Sequence, residues 1–198
     1  MKATGVILAG GRSSRMKFNK AFAEISGQPV IEMIINKFTK YFDETIIISN
    51  EPEPYAHLGP VIFPDVFPRM GPVSGIHAGL CHARYDRIFV LGCDVPFINM
   101  RLVDYMLCVL DDYDSVVPSI DGYLQPLAAV YSHKCLPILT DCLQTNRVKL
   151  VRIFEELNAL ILTRDVLEKY GIPEEIFLNV NDIQALHLAE QIAGRNRD

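Results

Sequence analysis

Two consecutive glycines and a group of basic residues lie close together near the N-terminus, in the segment LAGGRSSRMKFNK at residues 8–20. Gly10 and Gly11 follow a short apolar run, so the backbone there can turn tightly and bring N–H groups close to phosphate oxygens. The cations of the segment are Arg12, Arg15, Lys17 and Lys20. Amide donors, guanidinium groups and ammonium groups together suit a triphosphate. Two glycines alone are a weak signal, so the alternative is an ordinary strand-to-helix turn with a solvated basic face. The segment matches neither GxxxxGK[ST] nor GxGxxG.

Two carboxylates come directly after apolar runs. Asp94 follows the run at residues 87–91, and a hard oxygen ligand at that point suits Mg²⁺ shared with phosphates. Asp65 follows the run at residues 61–63, and its carboxylate can accept two hydrogen bonds from the N1–H and N2–H₂ edge of guanine. We therefore predict a metal ligand at Asp94 and a guanine contact at Asp65. A turn or helix-capping role is the alternative for Asp94, and a purely structural loop is the alternative around Asp65.

A third polar group precedes the last predicted helix, in the sequence Asn179-Val180-Asn181-Asp182. In an extended stretch, the two Asn side chains flanking one Val would point to the same side, where their amides could hold a phosphate or a heterocycle. Asp182 suits the N-cap of the following helix, which is the ordinary structural role for a residue of this group.

The elements that must position these residues alternate along the chain. Short apolar runs predict strands at residues 4–9, 45–49, 61–63, 87–91, 116–117 and 125–131. Helical spacing of apolar residues predicts helices at residues 29–42, 73–84, 100–110, 133–143, 148–156 and 183–193. This alternation predicts an α/β, Rossmann-like three-layer sandwich with a mostly parallel sheet in a single domain over residues 1–198. Ligands of such sheets bind beyond the C-terminal strand ends, where the polar residues lie.

Composition narrows the function classes. The net charge is −5 and no long basic run occurs, so neither a nucleic-acid partner nor a membrane surface is expected. The five cysteines are odd in number and lack CxxC spacing, which favours reduced thiols over a disulfide framework or a zinc site. No apolar run approaches the roughly 18 residues of a membrane span, and no signal-peptide layout is present. We expect a cytoplasmic enzyme.

With these residues assembled, the chain resembles the molybdenum cofactor guanylyltransferase family over most of its length. The shared motifs, in order, are LAGGRSSRM with Lys20 downstream, GQP, MGPVSGI, CDVPF, QPLAAVY and FLNVND. The resemblance implies a nucleotidyltransferase fold of the nucleotide-diphospho-sugar transferase type, with GTP and Mg²⁺ as ligands. Its implied nucleotide and metal contacts are the backbone of Leu8, Ala9 and Gly10, with Lys20, Asn50, Asp65 and Asp94.

The implied reaction is attack by the phosphate of molybdopterin on the α-phosphorus of GTP. Arg15 and Lys20 would stabilise the leaving pyrophosphate, Asp94 would hold Mg²⁺, and Asn179 and Asn181 would place the molybdopterin. Cofactor-biosynthesis proteins or molybdoenzymes are the implied transient protein partners. The two glycines favour GTP, whereas the cytosine branch tends to carry an alanine-rich loop.

Departures from the family pattern keep alternatives open. The family usually has Gly and then Asp around the loop lysine, where this chain has Lys17 and Asn19. The alternatives are a nucleotidyltransferase that uses CTP or transfers to a sugar or polyol phosphate, and a catalytically idle nucleotide-binding protein.

Overall fold

The computed structural model describes residues 2–10 and 20–195. Its strands in chain order are β1 Thr4–Leu8, β2 Glu24–Ile25, β3 Gln28–Pro29, β4 Glu44–Ile48, β5 Val61–Phe63, β6 Arg87–Gly92, β7 Ser115–Ile120, β8 Tyr123–Leu124, β9 Ala128–Ser132 and β10 Ala159–Leu162. Its α-helices are α1 Val30–Tyr41, α2 Pro72–His82, α3 Met100–Cys108, α4 Leu136–Gln144, α5 Leu150–Ile153, α6 Arg164–Leu167, α7 Pro173–Ile176 and α8 Ile183–Arg195. No described helix is both long and apolar enough to cross a membrane.

One sheet organises the described chain, with strand order β10-β7-β9-β6-β1-β4-β5 and β8 paired to β7 beside this path. The pairs β1–β4, β1–β6, β4–β5 and β7–β10 are parallel, whereas β9 runs antiparallel to both β6 and β7. Because β6, β1, β4 and β5 all run in the same direction, their C-terminal ends meet at one edge. Strands β2 and β3 form a separate small hairpin.

Helices cover both faces of the sheet because successive strand residues point to opposite sides. In β1, Val6 packs in the apolar cluster that includes α2 and α4, and Ile7 packs in the cluster that includes α1, α3 and α8. Both side chains are fully buried. The predicted α/β sandwich with a mostly parallel sheet is confirmed.

The central strand is closely approached by α1. A Cβ added at Gly5 would lie 2.5 Å from Phe42 Cδ2 and 2.6 Å from Phe38 Cδ2. Both rings are buried and stack edge-to-face with centroids 5.0 Å apart, so neither can move aside easily. Glycine at this position lets the helix lie against β1.

Several local predictions differ from the structure. The strand predicted at residues 125–131 begins at Ala128, because residues 125–127 form a turn in which the Ala128 N–H donates to the Gln125 carbonyl at 3.0 Å. The helix predicted at 133–143 starts as the 3₁₀ turn His133–Cys135, and the one predicted at 148–156 keeps α geometry only at Leu150–Ile153. Strand β10, the hairpin strands β2, β3 and β8, and the short helices α6 and α7 were not predicted.

We predict that Gly5→Ala destabilises the fold by about 1–3 kcal/mol, because the added methyl group overpacks the Phe38–Phe42 contact. Gly194→Ala is the matched control, since a Cβ there would have no atom of residues 2–10 or 20–195 within 4 Å. That control should change stability by no more than about 1 kcal/mol. Urea denaturation measures both variants. Equal stability of Gly5→Ala and wild type would show that α1 does not pack against β1 as described.

Candidate active site

Four parallel strands end side by side at one edge of the sheet. Leu8 is in register with Ile48 and with Gly92, and Ile48 is in register with Phe63. The residue two positions after each strand end is Gly10 for β1, Asn50 for β4, Asp94 for β6 and Asp65 for β5. The register of the sheet therefore brings together polar and glycine residues that are separated by up to 84 positions in the chain. The residue pattern predicted ligand contacts at Asp65, Asp94 and the loop that begins at Gly10, and the family resemblance implied the contact at Asn50.

Asp94 lies in a tight turn directly after β6. The Val95 N–H donates to the Gly92 carbonyl at 3.3 Å, and the Cys93 N–H donates to the Leu8 carbonyl at 3.1 Å, which joins this turn to the end of β1. The half-buried Asp94 side chain folds back over Gly92, because a Cβ added there would lie 2.9 Å from Asp94 Oδ1. Only a glycine at position 92 leaves room for the carboxylate in this position.

The segment before α8 is tied directly to Asp94. The Val180 N–H donates to the Asp94 carbonyl at 2.9 Å, and the Val180 side chain is fully buried. Asn179 is exposed and Asn181 is half-buried. The Asn181 N–H donates to the Asn179 carbonyl at 3.0 Å, so this stretch makes a tight turn and the predicted extended conformation is wrong. The turn still leaves both Asn residues more accessible than Val180 and places them beside the metal-ligand candidate.

Asp182 has the predicted capping role. Its Oδ1 accepts a hydrogen bond from the Ala185 N–H at 2.8 Å, at the third residue of α8. It therefore fixes the start of the helix that follows the Asn pair.

Asn50 and Asp65 hold each other through two hydrogen bonds. Asn50 Nδ2 donates to Asp65 Oδ2 at 2.8 Å, and the Asp65 N–H donates to Asn50 Oδ1 at 3.0 Å. The Asn50 amide thereby fixes the plane of the carboxylate. Each carboxylate oxygen can accept two hydrogen bonds, so both oxygens of Asp65 keep the capacity to accept from a ligand.

The end of β1 supplies backbone to the site. The Ala9 N–H donates to the Ile48 carbonyl at 2.9 Å, so that amide belongs to the sheet. Gly10 follows in an exposed position, and no atom of the described residues lies within 4 Å of where its Cβ would be. Lys20 begins the 3₁₀ turn Lys20–Phe22. The predicted contacts Gly11 and Arg15 lie outside the described residues, as do Arg12, Lys17 and Asn19.

A β-hairpin that was not predicted from the sequence lies at the same edge of the sheet. Strands β7 and β8 are joined by Asp121 and Gly122, with φ values of 50° and 85°, and the Asp-Gly pair is the signal that could have identified this turn. Arg164 donates to both carboxylate oxygens of Asp121 at 3.2 Å and to Glu174 at 2.5 Å. The hydrogen bond with Glu174 is the largest cause that raises the pKa of Arg164. This ion pairing joins the hairpin to α6 and α7, and α7 leads to Asn179.

The donor set fits a metal ion that is shared with a substrate. Within residues 2–10 and 20–195, no three His, Cys, Asp or Glu side chains cluster as a metal site. Mg²⁺ is commonly held by one or two carboxylates together with phosphate oxygens and waters, so a dedicated protein cage is not required. The half-buried Asp94 carboxylate, which follows the end of β6, is compatible with that arrangement.

Residues 5–160 match the family described as "MobA-like NTP transferase domain". A probable molybdenum cofactor guanylyltransferase from Clostridium perfringens (strain 13 / Type A) is 38% identical over 191 residues, which covers 92% of this chain and 93% of that protein.

Two solved structures share the fold. Molybdopterin-guanine dinucleotide biosynthesis protein A from Archaeoglobus fulgidus superposes with a TM-score of 0.85 at 23% identity, covering 97% of this chain and 99% of that chain. The 2-C-methyl-D-erythritol 4-phosphate cytidylyltransferase from Thermus thermophilus superposes with a TM-score of 0.72 at 17% identity, covering 98% of this chain and 100% of that chain. At these identities, the two structures establish the fold, which is the predicted nucleotide-diphospho-sugar transferase type.

We predict that Gly92→Ala weakens Mg²⁺-dependent binding of a nucleoside triphosphate without unfolding the chain. The new Cβ displaces Asp94 Oδ1, while its other neighbours, Leu127 and Val95, remain at 4.0 Å. Calorimetric titration of the nucleotide with and without Mg²⁺ measures the effect, and a thermal melt checks the fold. An unchanged Mg²⁺ dependence would show that the Asp94 carboxylate does not act from its position over Gly92.

Proposed function

The chain belongs to the family of MobA-like NTP transferase domains, and on that premise we propose that it transfers GMP from GTP to the phosphate of molybdopterin. The products are the guanine dinucleotide form of the molybdenum cofactor and pyrophosphate. The observation that carries the proposal is the meeting of Gly10, Asn50, Asp65 and Asp94 beyond four adjacent strand ends. In this proposal, residues 1–198 act as one nucleotidyltransferase domain.

The chemistry needs alignment more than proton transfer. An oxygen of the molybdopterin phosphate forms a bond to the α-phosphorus of GTP, and the bond from that phosphorus to the bridging oxygen of the β-phosphate breaks. The acceptor monoester is already ionised near neutral pH, so no general base is required. The chain's contribution is to bring two anionic groups together in line and to balance the charge on the leaving pyrophosphate.

The donor side of the site is assigned to the ends of β1, β4 and β5. Asp65, held by Asn50, accepts from the N1–H and N2–H₂ edge of guanine, which adenine and cytosine do not present. The backbone at Leu8, Ala9 and Gly10 is proposed to contact the phosphates, together with Gly11, which lies outside the described residues. Arg15 and Lys20 are proposed to neutralise the pyrophosphate.

The metal and acceptor side is assigned to Asp94 and the Asn pair. Asp94 would hold Mg²⁺, which when bound would neutralise part of the negative charge of the phosphates. Asn179 and Asn181 orient the molybdopterin, and the bond from the Val180 N–H to the Asp94 carbonyl fixes their position relative to the metal ligand.

The protein partners proposed are those that deliver molybdopterin or receive the product, namely cofactor-biosynthesis proteins and molybdoenzymes. GTP is an intracellular metabolite, so the proposed place of action is the cytoplasm. The competing candidates are transfer from CTP or to a sugar or polyol phosphate, and nucleotide binding without turnover.

The function is tested by incubating the purified chain with molybdopterin, Mg²⁺ and either GTP or CTP. Pyrophosphate release and the mass of the dinucleotide product are measured. The proposal expects GTP-dependent release and a product that contains GMP. Turnover with CTP alone would replace it with the cytidylyl alternative, and GTP binding without pyrophosphate release would identify an idle binder.

We predict that Asp94→Asn lowers turnover by about 10²- to 10³-fold, the usual loss when one charge-stabilising group is removed. The neutral amide keeps the size of the side chain but is a much weaker Mg²⁺ ligand. Asp86→Asn is the matched control, because this exposed carboxylate precedes β6 at the opposite edge of the sheet. Initial rates of pyrophosphate release measure both variants. Near-normal turnover of Asp94→Asn would remove Asp94 from the mechanism.

A further inference from the structure

A lysine on α1 reaches across to the loop that follows Asp94. Lys37 Nζ donates to the Pro96 carbonyl at 2.7 Å and lies 3.4 Å from the Ile98 carbonyl. We call residues 93–99 the 93–99 loop. It connects β6 to α3 and carries the proposed metal ligand near its start.

The placement of this ammonium group is unusual. Lys37 is half-buried between α1 and the loop, and within residues 2–10 and 20–195 no carboxylate forms an ion pair with it. Burial lowers the pKa of Lys37. Removing a cation from water is costly unless it gains compensating hydrogen bonds, and here the two loop carbonyls supply them. Because the ammonium group depends on these two carbonyls for its hydrogen bonds, it holds the backbone at Pro96 and Ile98 in place.

The loop has separate anchors on either side of the carboxylate. On the strand side, the Cys93 N–H bonds to the Leu8 carbonyl and the Asp94 carbonyl accepts from the Val180 N–H. On the helix side, Asn99 Oδ1 accepts from the Arg101 N–H at 2.9 Å and Asn99 Nδ2 donates to the Tyr170 carbonyl at 2.6 Å.

Between these anchors the loop turns through Pro96, which has no N–H to donate. The carbonyls that Lys37 binds lie in this middle section. Val95 and Ile98 are buried there in the same apolar cluster as α1. Lys37 therefore supplies side-chain hydrogen bonds to the part of the loop that leads from Asp94 to α3.

We propose that Lys37 is a positioning residue that holds the 93–99 loop so that the Asp94 carboxylate is already placed for Mg²⁺ and the triphosphate. This inference rests on the proposed function only in taking Asp94 as the metal ligand. Groups that orient a metal ligand typically contribute about 10- to 100-fold to metal affinity. Lys37 is about two turns along α1 from its N-terminal end and acts through the loop, without touching substrate.

The test compares Lys37→Met, Lys37→Arg and the control Lys40→Met. Methionine keeps the length and apolar stem of lysine without its charge, and arginine keeps the charge and donors. Lys40 is an exposed lysine in the last turn of the same helix. Calorimetric titration of GTP is run without Mg²⁺ and across a range of Mg²⁺ concentrations, and thermal melts verify the fold.

The expected result for Lys37→Met is a rise of about 10- to 100-fold in the Mg²⁺ concentration needed for half-maximal GTP binding. Metal-free GTP binding should stay at the wild-type level, because the base and backbone contacts lie on other strands. Lys37→Arg should recover most of the Mg²⁺ response, and Lys40→Met should match wild type.

Two results would overturn the inference. One is a Mg²⁺ response of Lys37→Met equal to that of Lys40→Met. The other is an equal loss of metal-free and metal-dependent binding in Lys37→Met, which would reflect general destabilisation of the fold. Failure of the proposed function can be told apart from failure of this inference. If the wild-type chain binds Mg²⁺ and GTP but forms no dinucleotide, the proposed function is refuted, whereas the role of Lys37 in Mg²⁺ binding is not.

Discussion

The parallel register of β6, β1, β4 and β5 is the constraint on which the rest of the structure depends. Parallel pairing places Leu8 level with Ile48 and Gly92, and Ile48 level with Phe63. A one-residue slip would exchange the faces of a strand and move the residue after its end away from its neighbours. Burial of alternate side chains in two apolar clusters resists such a slip. The same burial that stabilises the sheet therefore assembles the site.

The site is held mainly by backbone bonds and by neutral side chains. Two backbone hydrogen bonds hold the Asp94 turn: the Cys93 N–H donates to the Leu8 carbonyl at the end of β1, and the Val180 N–H, in the segment before α8, donates to the Asp94 carbonyl. Asp65 is oriented by the Asn50 amide. Such an arrangement aligns the two carboxylates, and Asp65 keeps the capacity to accept hydrogen bonds from a base edge. Alignment is the requirement of nucleotidyl transfer to an acceptor that is already ionised.

The parts of the molecule that the sequence predicted are those with a local signal. Apolar runs predicted β1, β4, β5 and β6, and Gly10, Asp65 and Asp94 were predicted as contacts because each follows such a run, whereas Asn50 was implied by the family resemblance. Long-range pairings have no such signal: β10 is a four-residue strand whose place beside β7 depends on the completed sheet. The bond between Val180 and Asp94 and the reach of Lys37 to Pro96 join residues 86 and 59 positions apart. They become visible only once α1, β6 and the segment before α8 are packed together.

The most direct test of the central claim is calorimetric binding of GTP and CTP with Mg²⁺, carried out on wild type and on Asp65→Ala. If the strand ends form a guanine nucleotide site, wild type binds GTP more tightly than CTP, and the variant loses that preference while CTP binding is little changed. A wild-type preference for CTP, or a GTP preference that survives removal of the Asp65 carboxylate, would contradict the assignment of this edge of the sheet to guanine recognition.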